Sequence, residues 1–340
     1  MARVSLSTVV VAHDSLAELR RSLPPLLAQL SEGDELVVVD NASSDGLAAE
    51  LERLAPSAKL VALDENIGFA AGANRGVGAG SGELVVLLNP DAIVQPGWAD
   101  AIRAAWGGPW AAWMALVLLE GGQRINTSGG VLHFTGFGWA GQVDEPRQAA
   151  PRRPTEVAFV SGACMAIPRV RWDELGGFPE HFFMYCEDVD LSLRLRLMGE
   201  KLAVVPDAVV EHLYEFAKGG RKFRLLERNR WATVIRTYPG SLLLAVLPAL
   251  MAAEAVVWVA AFRGAWWRMK VLATLDVLRA LPRLLQERRR IQDRRTAPVR
   301  ALTAVMSERL DSPYFGRLAR TVVLRAALRG YWHVAKALLR

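Results

Sequence analysis

A chain of 340 residues with 52% hydrophobic and 22% charged side chains can bury one large α/β domain with an appendage, which excludes general disorder. Its net charge of +6 suits phosphate-bearing substrates, an anionic membrane face or nucleic acid. The only two cysteines, Cys164 and Cys186, exclude a disulfide framework and favour a reducing compartment.

The N-terminal stretch carries a short β-branched run ahead of His13 and Asp14. It lacks the long apolar core and small-residue cleavage site of a signal peptide, so residues 8–12 read as a buried first strand. Residues 15–30 place apolar side chains at helical spacing. Residues 36–39 form a second strand that ends in Asp40 and the polar turn Asn41-Ala42-Ser43-Ser44-Asp45-Gly46. A helix over 47–54, a strand over 60–63 and a helix over 70–78 follow. The strand over 84–88 ends at Asn89-Pro90-Asp91. Short apolar strands between amphipathic helices imply an α/β fold with a doubly wound, mostly parallel sheet. Ligands of such sheets sit at the carboxyl ends of the strands, where this chain places His13-Asp14, Asp40-Asn41 and Asn89-Pro90-Asp91.

Composition changes after about Glu120. Residues 126–153 are rich in Gly, Pro and aromatics and predict a turn-rich excursion; residues 157–167 return to strand character. Within 182–198 an acidic cluster, Glu187, Asp188 and Asp190, opens a helix, and a strand over 202–205 precedes His212. Residues 241–262 are almost wholly apolar, with Glu254 the one charge and Pro248 inside, and just long enough to cross a bilayer. Trp266, Trp267 and a basic helical run with Arg288-Arg289-Arg290 and Arg294-Arg295 follow; residues 301–340 hold a last basic helical segment. There is no internal repeat.

Each polar cluster has a plain reading beside a chemical one. Asp40 can bond a ribose or base, or can cap a turn of Asx and Ser side chains. The glycines of Asn66-Ile67-Gly68-Phe69-Ala70-Ala71-Gly72-Ala73-Asn74-Arg75-Gly76 can bring backbone N–H groups to a phosphate, with Arg75 adding charge, or can pack a helix closely on the sheet. Asp91 can hold a hard divalent cation that bridges phosphate oxygens, or can complete an Asn-Pro-Asp turn. Carboxylates at a helix start can cap it, or one of Glu187 and Asp188 can serve as general base beside the apolar Phe182-Phe183-Met184-Tyr185. His212 can ligate a metal or sit in the core. No Gly-x-Gly-x-x-Gly follows the first strand, and no Gly-x-x-x-x-Gly-Lys occurs, which argues against a Rossmann-type oxidoreductase and a P-loop.

Taken in order, residues 9–15, 37–46, 66–76, 87–91, 126–130, 160–163 and 175–178 running into 182–196 resemble the family 2 glycosyltransferases, in their rhamnosyltransferase-like branch. The resemblance covers roughly residues 5–240. It implies a GT-A fold, a nucleotide-diphosphate sugar donor, a divalent metal (Mg²⁺ or Mn²⁺) and inversion in a single displacement. On the matching positions it implies that Ala12, His13 and Asp40 hold the nucleoside. Asn66, Gly68 and Asn74 then lie by the diphosphate or donor sugar, with Asn89 also on the donor side. Asp91 matches the last carboxylate of the family's Asp-x-Asp, His212 a further metal ligand, and Asp188 the base, with Glu187 as its alternative. Two positions depart from the pattern: Asn89 stands where many relatives have a first Asp, and His13-Asp14 where Tyr-Asn is frequent.

The expected organisation is a catalytic domain over 1–238, with a nucleotide-sugar half over 1–120 and an acceptor half over 121–238. A membrane-associating segment over 239–300 and a helical tail over 301–340 follow. Basic residues flank 241–262 on both sides, which fits a single span poorly and favours monotopic attachment at the cytoplasmic face of the cell membrane. Such attachment suits a glycan or lipid-linked acceptor of cell-wall or polysaccharide synthesis. Rhamnose leads as donor sugar, with galactofuranose open. Nucleic acid is not an expected partner, because the tail's basic residues interleave with Leu and Trp at helical spacing.

Overall fold

The computed structural model describes residues 3–213, 219–311 and 321–339. The first elements in chain order are β1 (Leu6–Ala12), α1 (Leu16–Leu27), β2 (Glu35–Asp40), α2 (Leu47–Leu54), β3 (Lys59–Ala62), α3 (Gly68–Ala79), β4 (Leu84–Leu88), β5 (Ala92–Val94), α4 (Trp98–Ala104), β6 (Trp110–Leu119) and β7 (Ile125–Thr127). Then come β8 (Gly130–His133), β9 (Gly138–Ala140), β10 (Thr155–Glu156), β11 (Cys164–Pro168), α5 (Arg169–Leu175), α6 (Glu187–Leu197) and β12 (Lys201–His212). The chain closes with α7 (Gly219–Thr237), α8 (Gly240–Arg263), α9 (Trp267–Asp293), α10 (Val299–Ala304), β13 (Met306–Ser307) and α11 (Val322–Leu338). Two compact units divide these elements. The first is Met1–Gly130, Ala140–Leu191 and Lys201–Glu215; the second is Val131–Trp139, Ser192–Glu200 and Phe216–Arg340.

The first unit is built on a ten-stranded sheet whose main path runs β10-β12-β6-β11-β4-β1-β2-β3. β3, β2, β1 and β4 pair in parallel, as right-handed crossovers through α1, α2 and α3 require. Every residue of β1 and β4 is buried, so these strands read as unbroken apolar runs rather than alternating ones. β11 enters antiparallel between β4 and β6, β12 returns parallel to β6, and β5 lies antiparallel on β12.

Two expectations change here. The strand over 157–167 shortens to Cys164–Pro168; residues 157–163 leave the ladder in a loop that the site uses. The ten-residue β6 is a central strand where composition alone marked only a boundary. Its Ala, Leu and Met content gives neither β-branched enrichment nor an alternating pattern to separate strand from helix.

The glycines of α3 pack it against the sheet. A Cβ at Gly72 would come within 2.8 Å of Val11 Cγ1, and one at Gly76 within 2.8 Å of Val39 Cγ2 and closer still to Val9. One helical turn apart, these two positions set the distance of α3 from β1 and β2.

In the second unit α7 and α9 run side by side in the same direction. Phe223 stacks on Trp266 with centroids 4.8 Å apart. Further along, Arg236 Nε meets Glu287 Oε2 at 2.9 Å. α8 is tied to both through Glu254, whose Oε2 accepts Arg230 Nη2 at 2.9 Å and whose Oε1 lies 2.6 Å from Lys270 Nζ. Glu227 completes the group, 2.9 Å from Arg230 and 2.6 Å from Lys270. Two carboxylates and two cations thus cancel in a buried tetrad, the arrangement that allows ionised groups to remain inside. β13, β8 and β9 form a small sheet, where Phe134 stacks on Trp332 at 4.7 Å. Among the described residues α8 is the one helix long and apolar enough to cross a membrane, with a mean hydropathy of 2.3.

Gly76→Ala therefore has opposed effects: about 1 kcal/mol gained from helix propensity against an overpacking cost of about 1–3 kcal/mol. Denaturant unfolding is expected to show a net loss. Gly78→Ala meets nothing within 4 Å and is expected to raise the midpoint slightly, by about 0.4–1 kcal/mol.

Candidate active site

The carboxyl ends of β1, β2, β4 and β12 carry most of the polar residues singled out in the sequence. At the β1 and β2 ends, Asn41 N–H donates to the Ala12 carbonyl at 2.8 Å. Asp14, at φ 50°, accepts from the backbone N–H of Ser44 at 2.7 Å and from its hydroxyl at 3.0 Å. Those Ser44 bonds hold the Asp14 carboxyl below its ordinary value. Asp40 Oδ1 accepts Ser43 N–H at 2.8 Å, so the Asx turn is present, and its carboxylate is 7% exposed. His13 is exposed beside Asp14, 3.8 Å away. Ala12 is fully buried.

Asn41 organises the next segment. Its Oδ1 accepts Ile67 N–H at 2.9 Å, and its Nδ2 donates to Asn66 Oδ1 at 3.1 Å and to the Gly68 carbonyl at 3.3 Å. Asn66 Oδ1 also accepts Gly68 N–H at 3.0 Å, and Ala70 N–H donates to the Phe183 carbonyl at 3.0 Å. The start of α3 thus directs several N–H groups to protein acceptors. Gly68 has φ +86°, and a Cβ there would lie 2.5 Å from the Phe183 carbonyl oxygen; glycine is required on both counts. Arg75 is exposed two turns into α3, away from the helix start.

Asn74 holds the segment leading to the acidic helix. Its Nδ2 donates to the Phe178 carbonyl at 2.9 Å and to Glu180 at 3.2 Å, and its Oδ1 accepts Phe178 N–H at 2.9 Å.

The β4 end is fixed from three sides. Asn89 N–H donates to the Ala163 carbonyl at 3.0 Å, Leu213 N–H donates to the Asp91 carbonyl at 3.0 Å, and Ser22 Oγ donates to the Pro90 carbonyl at 2.7 Å. β12 brings His212 alongside Ala92. His212 Nε2 then lies 3.0 Å from Asp91 Oδ1 and 3.2 Å from Asn89 Nδ2. His212 is buried, while the Asp91 side chain is 21% exposed.

The acidic helix meets this strand end through one loop. Gly162 N–H donates to Asp188 Oδ2 at 3.0 Å, one residue before the Ala163 carbonyl that holds Asn89. Asp188 Oδ1 accepts Val189 N–H at 2.7 Å. Asp188 and the Asn89-Pro90-Asp91 turn are thereby brought to the same end of the sheet. Phe183, Tyr185 and Cys186 precede α6 at φ 64°, 71° and 66°, and each costs of order 1–3 kcal/mol.

Glu187 and Asp188 differ in surroundings. Glu187 is buried and its Oε2 has no hydrogen-bond partner; burial, reinforced by the Asp188 charge, pushes its carboxyl well up. Asp188 is half-buried. Burial raises it too, but the Gly162 and Val189 N–H groups oppose the rise. Asp190, the third acid, is buried. Sequence reasoning passed over Asn41 and Gly162 as individual residues. Asn41 acts through its side-chain amide and Gly162 through its backbone N–H, and the only signal was their place inside the motif stretches.

Comparison with known proteins agrees with this arrangement. Residues 7–169 match the model of the glycosyl transferase family 2, and residues 142–233 that of a glycosyltransferase like family 2. The N-acetylglucosaminyl-diphospho-decaprenol L-rhamnosyltransferase of Mycobacterium tuberculosis is 28% identical over 234 residues, 61% of this chain and 75% of that protein. The rhamnosyltransferase WbbL of Escherichia coli is 42% identical over 77 residues, 23% of this chain and 28% of that protein. GalNAc-T7, solved with UDP, GalNAc and Mn²⁺, superposes with a TM-score of 0.59 at 16% identity over 74% of this chain; the chain spans 52% of that structure's length. That likeness is one of fold, the GT-A arrangement of a mixed, mostly parallel sheet. Together the two models span residues 7–233, and the chain is similar to the family 2 glycosyltransferases and, among them, to rhamnosyltransferases.

Proposed function

We propose that the chain transfers a sugar, with inversion, from a nucleotide-diphosphate donor to a hydroxyl of a lipid-linked cell-wall or polysaccharide intermediate at the cytoplasmic face of the cell membrane. Rhamnose is the first donor sugar to test. The observation that carries the reading is the loop 162–163, which holds Asp188 with one residue and the Asn89-Pro90-Asp91 turn with the next. The name of the mycobacterial relative, a transferase to a diphospho-decaprenol acceptor, supports the acceptor class. Residues 1–120 form the donor half and 121–238 the acceptor half in this proposal, with 239–300 and 301–340 attaching the enzyme to the membrane surface.

Asp188 is the base. As the acceptor oxygen attacks the anomeric carbon, Asp188 takes its proton, and the nucleoside diphosphate leaves with the electrons of the broken glycosidic bond. Glu187, buried and without a hydrogen-bond partner for Oε2, keeps its own proton and so leaves the negative charge on Asp188. Ala12, His13 and Asp40 lie where the nucleoside would be held, with Asn66, Gly68 and Asn89 toward the diphosphate.

The Asp91 cluster fits a divalent cation. One ring nitrogen of His212 faces both a carboxylate oxygen and an amide nitrogen. It cannot donate to the first and accept from the second at once. With the Asn89 amide turned over, Asp91 Oδ1, Asn89 Oδ1 and His212 Nε2 would be three lone-pair atoms beside one another. Oxygen-rich, incomplete sets of this kind suit Mg²⁺ or Mn²⁺, whose remaining ligands come from water and substrate phosphates. A cation held there would neutralise charge on the departing diphosphate.

Three outcomes are expected. Asp188→Asn keeps donor binding and loses about 10²–10⁴-fold in kcat, while Glu187→Gln, which preserves a protonated shape, stays within a few-fold; near-normal turnover by Asp188→Asn sinks the assignment. Asp91→Ala abolishes stimulation by Mn²⁺, and full wild-type activity in excess chelator argues against the metal. The third outcome concerns pH and stability. Because Glu187 is raised in the folded state, its contribution is fully present below the unfolded value and is lost as pH rises through the folded one. Glu187→Gln is therefore expected to gain stability over wild type as pH rises above the ordinary glutamate range, read from urea melts at each pH.

A further inference from the structure

Membrane attachment as proposed above leaves open how the apolar segment meets the lipid, and the second unit carries the geometry that decides it. α8 has two unlike faces. Leu242, Val246, Leu250 and Ala261 are buried, and on that side Glu254 joins the ion tetrad with Arg230 of α7 and Lys270 of α9. On the opposite side Leu244, Leu247, Met251, Val256, Val259 and Phe262 recur at helical spacing, each between 47% and 75% exposed. From Leu244 to Phe262 that stripe is about 27 Å long. A contiguous exposed apolar strip of this length marks an interaction surface.

A second helix packs beside it. α11 lies against α8, with the Tyr331 hydroxyl donating to the Ala245 carbonyl at 2.6 Å. It buries Trp332 and Ala335 and exposes Val322, Val323, Val334 and Leu338, the first two at 82% and 80%. Cations flank the apolar residues: Arg325, Arg329 and Lys336 on α11, and Arg263 and Arg268 at the α8–α9 corner. There Arg268 lies 5.4 Å over the exposed Trp267 ring, the pairing of aromatic and cation found at headgroup level.

We infer that α8 and α11 form a two-helix platform that lies in the plane of an anionic leaflet, and that α8 does not span the bilayer. Spanning would carry α7 and α9 into hydrocarbon with it, because the tetrad fastens all three helices. α7 alone bears six cations, from Arg221 to Arg236, and cannot enter. In-plane seating leaves the tetrad side outside the lipid and buries only the apolar stripe. Charge selects lipid over a second copy of this chain as the occupant. Residues 216–340 hold 25 Lys and Arg against 7 Asp and Glu, whereas residues 1–215 hold 16 against 28. Two such basic surfaces repel each other, and an anionic leaflet attracts either.

The test uses the full chain with phosphatidylcholine vesicles and with equimolar phosphatidylcholine–phosphatidylglycerol vesicles. Partitioning onto the anionic vesicles is expected to be at least tenfold stronger and to collapse in high salt. Leu244→Glu with Val259→Glu is expected to lower it at least tenfold, and Val170→Glu, an exposed apolar position of α5 in the first unit, to leave it unchanged. Ser241→Cys and Arg263→Cys, each read against the parent chain with a membrane-impermeant maleimide, are both expected to react from the side of addition on sealed vesicles. Protection of either one means a span and overturns the inference. So does unchanged partitioning of the double variant, or its conversion of a dimer to a monomer in the absence of vesicle binding. Donor hydrolysis in detergent is followed in parallel. Lost partitioning with hydrolysis intact sinks only the platform, and lost hydrolysis with partitioning intact sinks only the transferase proposal.

Discussion

The short loop 161–163 is the constraint on which the site depends. One residue directs an N–H to the Asp188 carboxylate, and the next offers its carbonyl to Asn89. Neither bond involves a side chain of the loop, so its sequence need only be small and able to leave the sheet. Gly162 meets that need: a Cβ there would reach the Phe69 ring at 3.4 Å and stand 3.9 Å from Asp188. The same loop explains why β11 begins only at Cys164. Had the strand extended back to residue 157, these N–H and C=O groups would be committed to ladder bonds, and nothing would hold the acid at the strand ends.

Strain before α6 is stabilised from outside the segment. Three residues with side chains sit in left-handed backbone between 183 and 186, and such conformations persist only where neighbours over-determine them. The Phe183 carbonyl accepts Ala70 N–H, the Gly68 backbone makes room for the Phe183 ring, and Asn74 clamps Phe178 and Glu180. α3 thus has a task that its glycine-rich sequence did not announce. It holds the approach to the acidic helix, while Gly72 and Gly76 set its distance from the sheet.

How much was legible follows from this division of labour. The parallel half of the sheet was readable because β1, β2 and β4 each hold a run of three to five Val and Leu residues, bounded by polar turns. The acids were readable because carboxylates at strand ends and helix starts are few. β6 was not, since its Trp, Ala and Met carry no period, and its strand state is imposed by β11 and β12 on either side. The clamp made by Asn74 was hidden because an amide's hydrogen-bond partners, here more than a hundred residues away, leave no trace in local pattern. Asn41 was hidden in the same way, its amide partners lying 25–27 residues on, and Gly162 for the converse reason: its importance lies in a backbone group that every residue possesses.

Glu254 shows how a single charge inside an apolar run can be interpreted only through its partners. Alone in a 24-residue apolar helix, it resembles a flaw in a membrane span. Paired with Arg230 and Lys270, and sharing them with Glu227, it belongs to a neutral cluster whose disruption strands an opposite charge and costs about 3–5 kcal/mol. An ion group of that strength gives α8 a defined rotation about its axis, and rotation is what a uniformly apolar helix lacks. Once the carboxylate side is turned toward α7 and α9, every residue on the remaining arc from Leu242 to Phe262 is apolar. The one charged residue inside the segment thereby determines which of its faces is left for an apolar partner.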